Sequence, residues 1–182
     1  MSSIREEFKA RAILWSSSRF PFFVSDEEQA EEIRLFAARL SPAALQECLV
    51  ELASWNSESE EDLDGLAWGA DQLFVELRND GRGPEIARAA LNVITSSGPP
   101  IAIDAFSEAR APELMPELIA KVDWRHGSTD LQLAFAGALE VGGRGAVEVL
   151  QQMRAEIRNR EVRKEIDIAL HNISVRQQIP NA

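Results

Sequence analysis

Apolar residues recur at helical spacing along almost the whole chain, and this periodicity constrains the fold more than any other feature of the sequence. The clearest case is the last pair of segments, residues 145–157 and 159–173, which are separated by a single residue. Strand-like alternation is confined to residues 101–103. The sequence therefore predicts an all-α protein, an α-solenoid of stacked antiparallel helical hairpins with about nine or ten helices.

Start and stop signals divide this pattern into individual helices. Ser25 and Glu28 have the spacing of a capping box, and Ser41 followed by Pro42 predicts a second N-cap with a first-turn proline. We expect the two helices that these signals open to pack as an antiparallel pair. The breaks that follow are a polar, acidic loop and two turns, at residues 56–62, 79–84 and 96–100.

Internal repetition supports the same architecture. The dipeptides Ala90-Leu91, Ala138-Leu139 and Ala169-Leu170 occupy comparable places in successive helical pairs, with irregular separations of 48 and 31 residues. The longer interval contains an extra segment that can form a short helix over residues 101–109. A small residue followed by leucine suits close stacking, because alanine lets neighbouring helix backbones approach.

The chain fits one domain over residues 1–182. We expect an atypical helical cap, a series of hairpins and a C-terminal tail, over residues 1–56, 63–174 and 175–182. Pro116 would remove a backbone hydrogen bond from a helix interior, so the helix that contains it should begin near Glu113. Pro116 then lies in the first turn, where its missing N–H costs nothing.

The second helix of the final pair opens with Glu161-Val-Arg163 and continues with Ile168-Ala-Leu170, and residues 116–139 form a weaker copy. In these residues the chain resembles the HEAT repeat family, over residues 112–174 and less closely over 63–96. The resemblance implies a right-handed superhelix whose inner helices, with Ile168-Ala-Leu170 in the core, line a concave face for a protein partner. Phycobilin lyases and a group of DNA glycosylases share this fold, so the resemblance leaves the activity open.

The net charge of −11 is concentrated in the N-terminal half. Residues 1–80 carry 7 basic and 17 acidic side chains, a net charge of −10, whereas residues 81–182 carry 12 and 13, a net charge of −1. No lysine or arginine lies between Arg39 and Arg78. A field of this sign attracts basic proteins and repels nucleic acid, so we expect a basic protein partner.

This acidic interval also contains two tryptophans, and aromatic anchors inside a charged field are typical of a steered protein interface. The predicted partner-binding residues are therefore Trp55, Glu58, Glu60, Glu61, Asp62, Asp64, Trp68 and Asp71. A structural interpretation stands beside this one. Acidic residues stabilise the first turn of a helix, and Trp68 could belong to the core beside Leu66 and Ala70.

None of the spacings that carry catalysis is present, so we expect no catalytic residue and no cofactor. His126 and His171 are the only histidines, and Asp123 and Asp167 precede them by three and four residues. We interpret these as surface pairs and expect no metal site. Cys48 lies on an apolar helical stripe and is predicted to be a core residue.

A basic ridge near the C-terminus alternates with carboxylates. Its members are Arg154, Arg158, Arg160, Arg163 and Lys164, interleaved with Glu156, Glu161, Glu165 and Asp167. We expect local ion pairing to satisfy most of these cations. Contact with phosphate or with an acidic partner is the alternative.

These features predict a non-catalytic module for protein binding. A narrower hypothesis is a bacterial immunity or inhibitor protein that neutralises a basic toxin, because the chain is small, has no catalytic constellation and carries the acidic interval between Arg39 and Arg78. Arginine outnumbers lysine 16 to 3, which is typical of GC-rich bacterial genomes and indicates no activity. The N-terminus lacks a secretion signal and no segment has the apolar length of a membrane span, so we expect a cytoplasmic protein. The alternative is a ligand-handling enzyme of the same fold.

Overall fold

The computed structural model describes residues 3–16, 26–55 and 60–178, and within these ranges it is helical with no strand, which confirms the all-α prediction. The helices are α1 (Ile4–Ser16), α2 (Asp26–Arg39), α3 (Pro42–Ser54), α4 (Glu60–Asn79), α5 (Gly83–Val93), α6 (Pro100–Ala109), α7 (Met115–Lys121), α8 (Thr129–Val141), α9 (Val147–Glu156) and α10 (Arg160–Gln178). Short 3₁₀ turns precede α7 and α9. None of the helices in the described ranges has the length and apolarity to cross a lipid bilayer.

The even-numbered helices contact one another in chain order, α2 with α4, α4 with α6, α6 with α8 and α8 with α10. A second series joins α1 to α3 and α3 to α5, while α9 packs on α10. One hydrophobic core extends through both series, from Phe8 in α1 to Ile173 in α10. The consequence for function is that α4, α6, α8 and α10 lie side by side and share a surface.

The expected pairing of α2 with α3 is wrong. The main contacts of α2 are with α4, whereas α3 packs on α1 and α5. The buried Phe36 of α2 meets the ring of Trp15 in α1 edge to face, with ring centroids 5.5 Å apart. Arg82 then fixes the end of α2, because its guanidinium donates to the carbonyls of Ala37 and Leu40 at 3.1 and 2.8 Å.

The structure also corrects the alignment of the repeats. Ala90-Leu91 belongs to α5, whereas Ala138 and Ala169 belong to the even-numbered helices α8 and α10. The short helix predicted over residues 101–109 is α6, a full member of the even-numbered series, and it divides the long interval. The buried residues Leu73, Ala105, Ala138 and Ala169 lie on α4, α6, α8 and α10 and are spaced by 32, 33 and 31 residues.

Several predicted boundaries are confirmed. The hydroxyl of Ser41 accepts from the backbone N–H of Ala44 at 3.2 Å, and Pro42 opens α3. Pro116 lies in the first turn of α7, after a 3₁₀ turn over Pro112–Leu114. The predicted cap at Ser25 lies outside the described residues.

Two boundaries differ from the prediction. The acidic loop was expected to extend to residue 62, but α4 begins at Glu60, because acidic residues favour the positive end of the helix dipole. The tail was expected from residue 175, but α10 continues to Gln178, because Ile173 is buried and holds this end of the helix on the core.

Two glycines allow helices to approach at backbone distance. A Cβ atom on Gly69 of α4 would overlap the carbonyl oxygen of Ala12 in α1. A Cβ atom on Gly83 of α5 would overlap the carbonyl oxygen of Ala109 in α6. The absence of a side chain at these two points therefore sets the spacing of both helix pairs.

Candidate functional site

An open groove of about 560 Å³ runs across α6, α8 and α10. Asp104 of α6, Gly137 of α8 and Ile168 of α10 line it. Gly137 and Ala138 of α8 have little or no side chain to project into the groove. No neighbouring atom lies within 4 Å of the position that a Cβ atom on Gly137 would take. Small residues in the middle helix thus keep the groove open.

The groove is acidic, and we refer to it as the acidic groove. Its carboxylates come from three helices and are Asp104, Asp130, Glu161 and Glu165. None of the four forms an ion pair with another residue in the described part of the chain. Lys164 is the single cation among the lining residues. The acidic groove therefore presents uncompensated negative charge to solvent, which favours a cationic ligand.

Asp71 of α4 adds a further carboxyl close to Asp104. Desolvation by the surrounding protein, followed by the negative charges of Glu108 and Asp104, raises the pKa of Asp71 to about 7. Desolvation, followed by the charge of Glu108, likewise raises the pKa of Asp104 to about 6, although part of the Asp104 side chain remains exposed. The carboxyls of Asp71 and Asp104 are therefore partly desolvated by the surrounding protein and still accessible to water.

Arg78 ties the two helices that carry these carboxyls. Its guanidinium donates to the carboxylate of Glu108 at 3.1 Å and to the backbone carbonyl of the same residue at 3.2 Å. Since Arg78 lies in α4 and Glu108 in α6, this contact fixes the spacing between Asp71 and Asp104. The charge of Glu108 is partly balanced by Arg78, whereas Asp71 and Asp104 have no cation bound to them in the described residues.

The structure removes Trp55 from the predicted partner-binding set. Its side chain is completely buried, stacks on the ring of Phe8 with centroids 5.3 Å apart, and donates its indole N–H to Glu51 at 3.0 Å. Trp55 joins α3 to α1 as a core residue. The expectation that it anchors a partner is wrong because the apolar face of α1 covers it.

Trp68 has the opposite environment. Half of its surface is exposed, so the interpretation of Trp68 as a core residue is wrong. Trp68 precedes Asp71 by one helical turn, which places an exposed aromatic ring beside the carboxyl that adjoins Asp104. Glu58 lies outside the described residues, and the side chains of four further predicted residues in α4 also do: Glu60, Glu61, Asp62 and Asp64.

The sequence reasoning missed the residues that form the acidic groove. Asp104, Asp130, Glu161 and Glu165 lie in the half of the chain whose charges nearly cancel, so the net charge gives no sign of them. One signal that places Asp104 beside α8 is the spacing of 32 and 33 residues between Leu73, Ala105 and Ala138, which requires α6 to be counted as a full repeat helix.

The histidines behave differently from one another. The Nδ1 atom of His126 lies 2.8 Å from a carboxylate oxygen of Asp123, which confirms that surface pair. Asp167 instead forms an ion pair with Arg154 of α9, and the predicted pair with His171 is wrong. Among the described residues no group of His, Cys, Asp or Glu has the geometry of a metal site.

Cys48 is buried in α3, as predicted, and desolvation followed by the charge of Glu47 raises its pKa to about 12. Its thiol is therefore protonated and unreactive at neutral pH. The basic ridge departs from prediction. Arg154 is the one ridge cation with an ion pair in the described chain, and its partner is Asp167.

Acidification from about pH 8 to about pH 5 is expected to stabilise the fold through Asp71 and Asp104. Their folded pKa values of about 7 and about 6 exceed the ordinary value of 3.8, so the folded chain retains protons that the unfolded chain has released. This contribution is complete below about pH 4 and is lost as the pH rises through 6 and 7. Thermal unfolding of Asp71→Asn/Asp104→Asn should show a flatter pH dependence, by about 1 kcal/mol after solvent screening.

The matched control for this pH dependence is Asp80→Asn/Glu113→Gln, which removes the same charge from two exposed positions. We expect its stability to follow that of the wild type at every pH. The prediction fails if the two double variants give the same pH profile.

Comparison of the chain with protein-family models, with curated proteins and with solved structures gave no match. The acidic groove and the exposed Trp68 are therefore interpreted from their own chemistry.

Proposed function

We propose that the chain is a HEAT-like α-solenoid that binds a basic protein and performs no catalysis. Two observations support the architecture. Helices α2, α4, α6, α8 and α10 contact one another in succession, and buried residues on the last four of them are spaced by 32, 33 and 31 residues. The HEAT-like signature lies in α10, where Val162 and Ala169 are buried. Ile168 was expected in the core, but it is 41% exposed and lines the acidic groove.

One observation carries the functional proposal. Four carboxylates from three helices, with no ion pair in the described residues, face an open groove whose middle helix carries glycine and alanine. If the carboxylates were paired with cations, their negative charge would be neutralised. If the middle helix carried bulky side chains, they would fill the groove. Open space and uncompensated charge together suit an inserted segment rich in lysine or arginine.

Trp68 and Ile168 complete this proposed interface. They lie on α4 and α10 and are 50% and 41% exposed. Large apolar side chains at the edges of a charged surface supply the desolvated contacts that account for most of the affinity of an interface. The charge then contributes the encounter rate and the preference for a basic partner.

The narrower proposal is a cytoplasmic inhibitor or immunity protein, of bacterial type, that neutralises a basic toxin. The net charge of −11 on a chain of 182 residues supports it, because charge of this density speeds capture of a cationic protein. Steered association falls steeply with salt, so a steered complex forms much faster at about 50 mM than at about 500 mM salt.

The test is quantitative capture of cell proteins on the immobilised chain at low salt, followed by a binding titration of each recovered basic protein. Asp71→Lys/Asp104→Lys reverses the charge at the acidic groove. Reversal of four predicted acidic residues, Glu58, Glu60, Glu61 and Asp62, changes the preceding segment instead. We expect the first variant to lower affinity at least about tenfold.

Each outcome has a defined meaning. If the four-residue variant loses the partner and Asp71→Lys/Asp104→Lys keeps it, the partner binds the acidic segment and the groove is not the interface. If neither variant changes the affinity of any basic protein at low salt, the proposal of a charge-steered interface is wrong.

The alternative, a ligand-handling enzyme of the same fold, is favoured by one observation. The carboxyl of Asp104 is accessible from the groove, and its pKa of about 6 suits proton transfer near neutrality. Asp104→Asn and Asp104→Glu separate the two functions. An interface steered by charge keeps its affinity with glutamate and loses it with asparagine, whereas proton transfer requires the carboxyl at its original position.

A further inference from the structure

A second open groove, of about 620 Å³, lies where the end of α9 meets α10. Five cations line it, Arg154, Arg158, Arg160, Arg163 and Lys164. Arg160, Lys164 and His171 lie on the side of α10 opposite the buried Val162 and Ala169, so they face away from the core. We refer to this second groove as the basic groove.

Most of the positive charge in the basic groove is uncompensated. Arg154 forms an ion pair with Asp167, and both lie at the groove. Arg158, Arg160, Arg163 and Lys164 have no carboxylate within ion-pair distance in the described residues. The field of the groove is visible in Asp167, where hydrogen bonding and charge from Arg154, together with the charge of Arg163, lower the pKa.

Cationic side chains elsewhere in the described residues are mostly paired with carboxylates. Most of the other arginines in the described residues bind a carboxylate, including Arg5 with Glu47, Arg34 with Glu76, Arg39 with Glu7, Arg125 with Glu156 and Arg176 with Glu140. A chain with 30 acidic residues offers many partners to each of its 19 basic ones. Four unpaired cations in one groove are therefore a local concentration of free charge that the chain does not neutralise itself.

The chemistry of these side chains restricts the ligand. The guanidinium group presents a planar fork of donors that matches the oxygens of carboxylate or phosphate. A carboxylate brings one negative charge, whereas a phosphoryl group brings up to two charges and three acceptor oxygens on one atom. A groove with four free cations is thus neutralised by two or three linked phosphoryl groups, which its volume accommodates.

We propose that the basic groove, formed by Arg158, Arg160, Arg163 and Lys164, binds a compact oligophosphate anion. The size of the anion follows from the charge of the whole protein. A long nucleic acid would place many phosphates outside the groove, in the field of a chain with a net charge of −11, whereas a compact anion stays within the basic groove.

The test is isothermal titration calorimetry of the full chain with inorganic triphosphate in about 50 mM salt. We expect saturable binding, with backbone amide NMR shifts confined to α10 and the end of α9. Arg160→Gln/Arg163→Gln should weaken triphosphate binding at least about tenfold, because two guanidinium groups that can each donate two hydrogen bonds to phosphate are removed. Arg160→Lys/Arg163→Lys should lower the affinity for triphosphate by a smaller factor, since the two positive charges remain.

The control is Arg88→Gln/Arg144→Gln, which removes the same charge from exposed arginines outside the groove. Its affinity for triphosphate should stay within about twofold of the wild type, since distant charges are screened. Circular dichroism of each variant checks that the helices are retained.

Titrations with other ligands identify which kind of phosphate compound the basic groove prefers. Adenosine triphosphate bound as tightly as inorganic triphosphate, or more tightly, supports the proposal and shows whether a base contributes. A duplex DNA of about 20 base pairs and a hexaglutamate peptide test the two macromolecular alternatives. The proposal is overturned by the absence of saturable triphosphate binding, by equal weakening in the control variant, or by tighter binding of the duplex or the peptide.

Discussion

Replacement of Trp55 by alanine is expected to lower the free energy of unfolding by about 3–5 kcal/mol. The Trp55 ring is completely buried and stacks on Phe8 of α1, and Trp55 is among the largest fully buried side chains of the described residues. Truncation removes the buried apolar area and leaves a cavity that surrounding helices fill only partly. It also removes the indole donor to Glu51. Chemical denaturation of the purified variant measures the loss.

The matched substitution is Trp68→Ala. Trp68 is 50% exposed on α4, so its loss should change the free energy of unfolding by no more than about 0.5 kcal/mol. The same variant should weaken binding of the basic partner. Equal stability losses in Trp55→Ala and Trp68→Ala would contradict the separation of the two tryptophans into core and surface.

Gly69→Ala is expected to destabilise the protein by about 1–3 kcal/mol, although alanine favours helices more than glycine does. The new methyl group would overlap the carbonyl oxygen of Ala12, which belongs to the backbone of α1 and cannot rotate away. Helices α1 and α4 must therefore separate. Because their contact is among the most extensive in the described chain, hydrogen exchange should increase first in α1.

The control glycine is Gly137. Nothing lies within 4 Å of the position of a Cβ atom on Gly137, so Gly137→Ala should raise the free energy of unfolding by about 0.5–1 kcal/mol through helix propensity alone. Opposite signs for the two glycine-to-alanine substitutions are the expected result. If both substitutions stabilise the protein, the backbone contact between α1 and α4 is absent.

Local structure could be predicted from the sequence because it depends on neighbouring residues. Ser41 and Pro42 start α3, and Pro116 lies in the first turn of α7, since capping and proline geometry need no tertiary partner. Cys48 was placed in the core for a similar reason, because an apolar stripe at helical spacing has one buried face. Each of these predictions depends only on residues within one or two helical turns of the feature that it describes.

The arrangement of the helices depends on distant contacts and was predicted less well. The short helix α6 looked like an insertion between two pairs, and Ala90-Leu91 was aligned with α8 and α10. The contacts of α6 with α4 and α8 show that it belongs to the even-numbered series. Helix length is a poor guide to this assignment, because α6 is short and still packs on both neighbours.

The candidate site was predicted only in part, for an electrostatic reason. Asp71 was chosen from the acidic interval and lies beside the acidic groove, but Asp104, Asp130 and Glu165 were not chosen. Charge counted along the chain averages over both sides of each helix. In α10 this average hides two adjoining surfaces, because Glu161 and Glu165 line the acidic groove while Arg160 and Arg163 line the basic groove. Lys164 and Ile168 line both grooves.

We propose that a partner protein occupies the acidic groove, and a substitution that fills the groove tests this proposal most directly. Gly137→Trp places a large ring at a point with no neighbouring atom within 4 Å, whereas Gly137→Ala places a methyl group there. Both variants should keep the helical circular dichroism spectrum.

The measurement is the dissociation constant of the basic protein captured by the wild-type chain, for each of these two variants. We expect Gly137→Ala to bind within about twofold of the wild type and Gly137→Trp to bind at least about tenfold more weakly. A Gly137→Trp variant that folds and binds the partner with wild-type affinity would contradict the claim.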